Sequence, residues 1–489
     1  MDTDELTPAE QRVWRAYATG TTVDFGEGEE EQAQDPAHGA DWGPERTIRA
    51  RVLRALILNG PQEPGEVAAL KVGGARITGE LDLRYATIGC VVRLSHCRFT
   101  HVPDLSGAHL SYLNLRDSVL PGLMIPRARI DGSLRLTGCR FGGPVHLGGS
   151  EISGALFLER AEITAAGPEP VLKLSHLTVK DDLCAPGLRA HGGVRLDGAA
   201  VAGSVDLTDA WLHHPGKAAL DAQTLALEGD LLMRRVSASG SIELRGARVA
   251  GRLDLTYARL SYPGGAALRA SSCTVGELWL RNGPPLDGRL NLRRTQVDVL
   301  FLEPDVVPRE VLLSNLVYTT LTPHVPAERR LVMLERDAEG YVPHSYEQLT
   351  AAYRRVGDDH AARLVQLAKQ RRLRSTRAWY ARIWGYVQDA TVGYGFRPLR
   401  ACAWLLSLLA VGSVAYALHH PRPLKASEAP HFDPVFYTLD LLLPVISFGQ
   451  EGAFAPDGWY QTLSYALVIT GWILATTVAT GITRTVSRQ

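Results

Sequence analysis

GARITGELDLRYATIGCVVRL (residues 74–94) decides the fold. Ile77, Leu81, Leu83, Ala86, Ile88, Val92 and Leu94 follow one another in a unit close to A-x-I-x-G-x-L-x-L-x-x. The L-x-L pair returns at Leu113/Leu115, Leu134/Leu136, Val145/Leu147, Leu156/Leu158 and Leu172/Leu174. It continues at Val194/Leu196, Val205/Leu207, Ile242/Leu244, Leu253/Leu255, Leu278/Leu280 and Leu290/Leu292. The step is about eleven residues or about twice that, the mark of a repeat architecture. Insertions break it at AAGPEP (165–170), HHPGKAA (213–219) and SYPGGAA (261–267), where loops should leave the body. Within each unit the apolar residues alternate and a glycine marks the corner, which is the period of short strands rather than of a helix. A leucine-rich repeat would need a helical half and an Asn at the turn, and these units have neither.

Two such units make one coil of roughly 22 residues with several short sides, Leu and Ile stacked inward and Arg, Asp, Glu and Thr in water. Leu81 to Leu302 then gives about ten coils, and at a strand spacing of ~4.8 Å a rod of roughly 50 Å. The expected fold class is mainly β, a β-helix (solenoid) over 73–315 with helical caps, plus an α-helical two-span membrane module. The repeat region resembles the pentapeptide-repeat and bactofilin-like β-helices, with an eleven-residue rather than a strict five-residue period. That resemblance covers nearly half the chain and implies a fold, not an activity.

The repeat explains several chemically tempting residues. Cys97, Cys139 and Cys273 occupy the slot that is Ala86, Ala128, Ala199, Ala247 or Ala258 elsewhere, so they read as small inward-facing residues, not nucleophiles. His96, His101, His109 and His146 are scattered singles. Six cysteines without a C-x-x-C pair or a Cys/His cluster point to neither a disulfide framework nor structural zinc. The 489 residues carry no formal net charge, so no global field draws the chain to nucleic acid. Residues 74–302 hold 26 Lys/Arg against 22 Asp/Glu, unlike a rod that mimics DNA with acids. No dinucleotide or phosphate-binding glycine motif, H-E-x-x-H or G-x-S-x-G elbow is present. Catalytic, cofactor and metal residues are therefore all expected to be none.

Residues 1–72 read as an N-terminal helical cap. Thr7 is placed as N-cap with Pro8 at the first helical position, and a second amphipathic helix lies between Gly43 and Gly60. Residues 25–43, FGEGEEEQAQDPAHGADWG, read as a solvated acidic linker. After the rod, residues 325–375 have the spacing of a helical hairpin turned at Gly357 and Asp358. The polar, acidic N-terminus has no basic region followed by an apolar core, so most of the chain is expected in the cytosol.

The remaining residues read as a membrane module. Residues 401–418 and 459–482 carry no charge and are long enough to cross a hydrocarbon core of ~30 Å. Eight Lys/Arg and one acid lie in 369–400, whereas the loop 419–458 has two Lys/Arg and five acids. Both termini and the rod are thus expected on the cytoplasmic side of the membrane. Residues 376–400 mix Arg with Trp379, Tyr380, Trp384 and Tyr386, as an interfacial elbow helix would. The letters TVGYG (391–395) spell a potassium-channel filter but precede the first span, where no filter can sit. The pore-like position is residues 435–450, a short apolar helix ending in Ser447, Phe448, Gly449 and Gln450. That arrangement resembles the span–pore helix–span module of two-helix ion channels, without their filter letters; an interfacial or extracellular amphipathic helix is the alternative reading of the same residues. Gly471, Ala475 and Ala479 form a small-residue stripe for packing against another span or another copy.

Chains of this build resemble those labelled membrane-associated oxidoreductases, yet no residue here supports a redox cofactor. The expected function is a membrane-anchored scaffold whose rod binds an unidentified cytosolic protein. A homo-oligomeric pore gated by the rod and an enzyme with an unrecognised site are the alternatives. The expected partners are the lipid bilayer, further copies of the chain and that protein, but not nucleic acid.

Overall fold

The computed structural model describes residues 5–28, 34–165, 167–375, 379, 398–425, 430–443 and 446–486. Its short strands show what the eleven-residue unit is. In one coil they are Arg129–Ile130, Leu134–Arg135, Arg140–Phe141 and Val145–His146. Each pairs in parallel with the coil that follows: Ile130 with Ile152, Leu134 with Leu156, Phe141 with Ile163 and Val145 with Leu172. The first three offsets are 22 residues and the fourth is 27, because the insertion at 165–170 intervenes. A coil therefore has four sides, and one unit is two sides, one of five residues and one of six. The longer step holds a residue in left-handed conformation, as at Arg127 (φ 54°), Gly138 (66°), Gly149 (70°) and Arg160 (54°).

Strict register stacks like on like. On one side Leu70, Val92, Leu113, Leu134, Leu156, Leu183, Val205, Leu231, Leu253, Leu278, Leu300 and Leu321 form a single column. All but Leu321 are buried, and removing each such side chain from water contributes roughly 1.5–3 kcal/mol. The solenoid has about 12 turns rather than ten, a rod of roughly 58 Å at ~4.8 Å per rung. The two-residue strand Val23–Asp24 and Thr47–Arg49 supply a first rung inside the segment expected as a helical cap. Val317–Thr322 supplies a last one by pairing with Gln296–Leu302.

Both ends carry helices. Helix α1 (Pro8–Thr19) starts at Thr7, whose hydroxyl accepts from the Glu10 amide while the Glu10 carboxylate returns to the Thr7 amide. Helix α2 (Ala50–Asn59) buries Val52, Leu53, Leu56 and Ile57. These helices lie against the strands Ala69–Gly73 and Thr87–Ser95, respectively. The linker expected at 25–43 is packed, not solvated, over residues 34–43, while residues 29–33 lie outside the described residues. Residues 34–46 lie packed along the rod, with Pro36 and Trp42 buried and the Arg46 guanidinium 4.1 Å from the Trp42 ring centre. Two apolar anchors and a line of arginines beneath them outweigh the polar composition. At the other end, helix α3 (Ala327–Glu335) sends the buried Arg330 to the carbonyls of Leu302 and Pro323. Helix α4 (Pro343–Arg355) begins there too, with Gln348 Nε2 donating to the Tyr318 carbonyl at 2.7 Å.

The chain divides into two compact units, Met1–Gln348 and Leu349–Gln489. In the second, the end of α4 and helix α5 (Asp359–Ser375) are joined by a turn at Gly357 (φ 79°). Gln366 Nε2 links the two helices by donating to Thr350 Oγ1 at 3.1 Å. Nearly all of the elbow expected at 376–400, and all of TVGYG, lie outside the described residues. Helices α6 (Pro398–Leu418), α7 (Pro434–Leu442) and α8 (Trp459–Val486) follow. The two stretches expected to span a membrane are thus helical. Among the described residues, however, no helix is long and apolar enough to cross one; the first turns of α8 are diluted by Gln461, Thr462, Ser464 and Tyr465.

Candidate functional site

Helices α6, α7 and α8 close around Tyr416, Tyr437, Leu441, Leu442, Phe454 and Leu467. Two small residues permit this. A Cβ on Gly412 would overlap Thr438, and one on Gly471 would overlap the Leu442 carbonyl. Gly471 is therefore filled by α7 of the same chain, Ala475 is half-buried beside it, and the Ala479 side chain lies outside the described residues.

The loop after α7 is organised by a residue that sequence reasoning passed over. Asp440 is 5% exposed, and its carboxylate accepts the amides of Phe448, Gln450 (2.7 Å) and Glu451 (3.1 Å). A carboxylate this buried persists only when hydrogen-bonded in this way. Trans peptide planarity then turns the carbonyls of Ser447, Gly449 and Gln450 away from Asp440. Ser447, Phe448 and Gly449 are exposed, with Ser447 Oγ accepting the Gly449 amide at 3.2 Å. Gln450 is buried and ties the loop back through Nε2 to the His431 carbonyl at 3.0 Å. The four pore-loop candidates thus form one structure, though three face out and one faces in. The signal that could have found Asp440 is a lone carboxylate within the apolar run FYTLDLLLP.

On the rod, the inward slots hold what the repeat required. Cys97, Cys139 and Cys273 are at most 2% exposed, and burial pushes their thiols up to about 12, 12 and 11. Nucleophilic cysteines have lowered values, so these are packing residues. Two of the scattered histidines face carboxylates, His109 Nε2 at 2.8 Å from Asp131 and His96 Nε2 at 3.6 Å from Asp117. Among the described residues, no group of His, Cys, Asp and Glu could hold a metal ion.

Two outward features stand out. Arg252 and Arg281 each lie 4.2 Å from the Trp279 ring centre, and Glu277 accepts from both Arg252 Nε and Trp279 Nε1 at 3.0 Å. Aromatic and guanidinium groups held in this way are the composition of protein-interaction hot spots. Beside the third insertion an open groove of about 880 Å³ is walled by Pro263, Asp287, Arg289, Arg309 and Glu310. Arg289 Nε is 3.3 Å from Glu310, so part of its charge is answered internally. No protein-family model matches the chain, nor does any curated protein or any solved structure.

Proposed function

We propose that the chain is a membrane-anchored scaffold, with helices α6 and α8 inserted in the bilayer and the rod offering its sides to a cytosolic protein. One observation carries the membrane half. Leu406, Val411, Val414 and Leu418 on α6 and Ile469 and Trp472 on α8 are all more than half exposed. Large apolar side chains left exposed in this number need a cover, and two charge-free stretches flanked by arginines on one side suit lipid better than water. The rod, the arginine-rich segment 369–400 and both termini then lie on the cytoplasmic face. The aromatic and arginine side chains around Trp279 support the interaction half. Alkaline extraction of membranes tests the anchor: the chain stays in the pellet, and release to the supernatant refutes it. C-terminal reporter fusions active only outside the cytoplasm refute the orientation.

The Asp440-bound loop favours a second reading, a homo-oligomeric pore in which outward carbonyls of Ser447 and Gly449 face an axis. Irregular backbone at membrane depth survives where it lines water or is buried in protein. Ion flux in liposomes tests it, and a monomeric mass in detergent at every concentration refutes it, since two helices cannot enclose a pore.

A further inference from the structure

On the face of the rod beneath residues 34–46, Arg76, Arg98, Val119 and Arg140 occupy the same register position on successive rungs. Three rung spacings separate Arg76 from Arg140, roughly 14 Å. The overlying segment runs along this column and not across it. Arg76 Nη1 donates to the Ala40 carbonyl at 2.8 Å. Arg98 Nη1 donates to the carbonyls of Pro36 and Ala37 at 3.1 and 3.0 Å. Arg140 Nη2 meets the Asp35 carboxylate. Asp35 to Ala40 is six residues, of which Pro36–His38 form a 3-10 turn, so the overlying segment is more compact than an extended chain; five steps of a fully extended peptide reach at most about 17 Å and match the length of the ladder.

The match in charge is poor. Only one of the three guanidiniums receives a carboxylate in these contacts, and Arg76 Nε is buried with no hydrogen-bond partner. A guanidinium fork is best met by carboxylates taken two bonds at a time. The hold is also weak at one end. Arg140 and Asp35 retain 43% and 36% of their side-chain exposure, and an exposed pair adds little and is screened by salt. Beyond that ion pair the segment is held by Pro36 and Trp42, both buried, with the Arg46 guanidinium over the Trp42 ring. The basic run stops at the next rung, where Glu162 pairs with Arg140 in register and faces His191 at 3.6 Å.

We propose that the ladder Arg76–Arg98–Arg140 is a docking site for an extended acidic segment of a protein partner, and that residues 35–40 occupy it as a built-in, weaker stand-in. The inference rests on the scaffold reading and names the chemistry of its partner. A single column of half-buried arginines fits one extended chain; a lipid surface or a nucleic acid would call for a broad field, and the rod carries none.

The test uses the full chain in detergent, with Asp35→Asn loosening the clasp and a fluorescein-labelled peptide of six glutamates as the probe. Asp35→Asn binds the probe roughly fivefold tighter than the unaltered chain, the worth of one exposed ion pair. Adding Arg98→Ala to it lowers affinity roughly tenfold or more, with the far-UV circular dichroism of the rod unchanged. Equal binding by the two chains, or indifference to Arg98→Ala, overturns the proposal. So does capture of Asp35→Asn by phosphatidylserine vesicles in the absence of peptide binding. Cleavage by a Glu/Asp-specific protease reports strap opening independently. An opened strap with no peptide binding sinks this inference while leaving the scaffold reading to its own extraction assay.

Discussion

Two glycines of one coil separate backbone demand from space. Gly138 sits in the left-handed corner (φ 66°), and a Cβ there would overlap Asp117 Oδ1 of the preceding coil. Gly142, four residues on, has no such φ, and its Cβ would find nothing nearer than the Leu120 carbonyl oxygen and Pro121 Cα at 4.0 Å. In Gly138→Ala the left-handed backbone costs about 1–2 kcal/mol. Restricting the unfolded chain returns about 0.4–1 kcal/mol. Moving Asp117 loosens its exposed contacts to Arg116 Nε (2.9 Å) and His96 Nε2 (3.6 Å), below ~1 kcal/mol. The net is a loss of about 1–2 kcal/mol. For Gly142→Ala only the unfolded-chain contribution remains, a gain of about 0.4–1 kcal/mol. Urea unfolding followed by far-UV circular dichroism reads both as midpoint shifts at constant slope. Equal shifts, or a stabilised Gly138→Ala, would refute the view that the last residue of each eleven-residue unit is a left-handed corner.

Leu156→Ala removes a fully buried rung of the leucine column between Leu134 and Leu183 and lowers stability by about 3 kcal/mol in the same assay; a loss under ~1 kcal/mol would mean the column is loosely packed. Glu10→Gln breaks a carboxylate with no side-chain exposure that accepts Arg49 Nε at 2.7 Å, costing about 2–3 kcal/mol at neutral pH because Arg49 keeps some exposure. Burial would raise the Glu10 carboxyl, but bonds from Arg49 and Thr7 outweigh it and hold it below its ordinary value. Its contribution is therefore complete above the unfolded-state value and fades as pH falls through the folded one, so the Glu10→Gln penalty shrinks in acid; a penalty independent of pH contradicts the pairing. Gly471→Leu drives a side chain into the Leu442 backbone and loosens α7 by about 3 kcal/mol, seen as faster proteolysis at the exposed Ser447–Phe448–Gly449 loop; an unchanged rate rules out that packing.

The rod was legible because its inward slots repeat in residue type as well as in position. Where the second slot changes, the pattern disappears from the letters but not from the fold. Leu123/Ile125, Leu183/Ala185, Leu220/Ala222, Leu231/Met233 and Leu268/Ala270 are all buried in the same way as the L-x-L pairs. The first slot needs a branched side chain to reach its neighbours in the column. The second adjoins the corner, where Ala, Met and Ile are all accommodated. The coil count fell short because the first rung is split: Val23–Asp24 and Thr47–Arg49 stand 23 and more residues apart in sequence, outside the eleven-residue step. The packed segment 34–46 was hidden because its partners, Arg76, Arg98 and Arg140, lie one coil and then two coils apart in sequence. Those arginines become one ladder only after the coils are stacked.

The helical unit shows the converse, a case in which one residue is readable and its partners are not. A carboxylate in the apolar run FYTLDLLLP must find donors, since burying an anion without them costs far more than a helix of nine residues can offset. Asp440 is thus legible as an internal anion from its neighbours alone. Its donors are the backbone amides of residues eight, ten and eleven positions later, and every residue except proline carries an amide. The side-chain identities of Ser447, Phe448 and Gly449 therefore carry little of the information that shapes their loop. What those letters do carry is permission: Gly449 takes φ 79° with open space around it, and Ser447 is short enough to accept the amide two residues on. A loop built from amides around one carboxylate is specified by the carboxylate, and any search for filter letters in such a segment looks at the wrong residue.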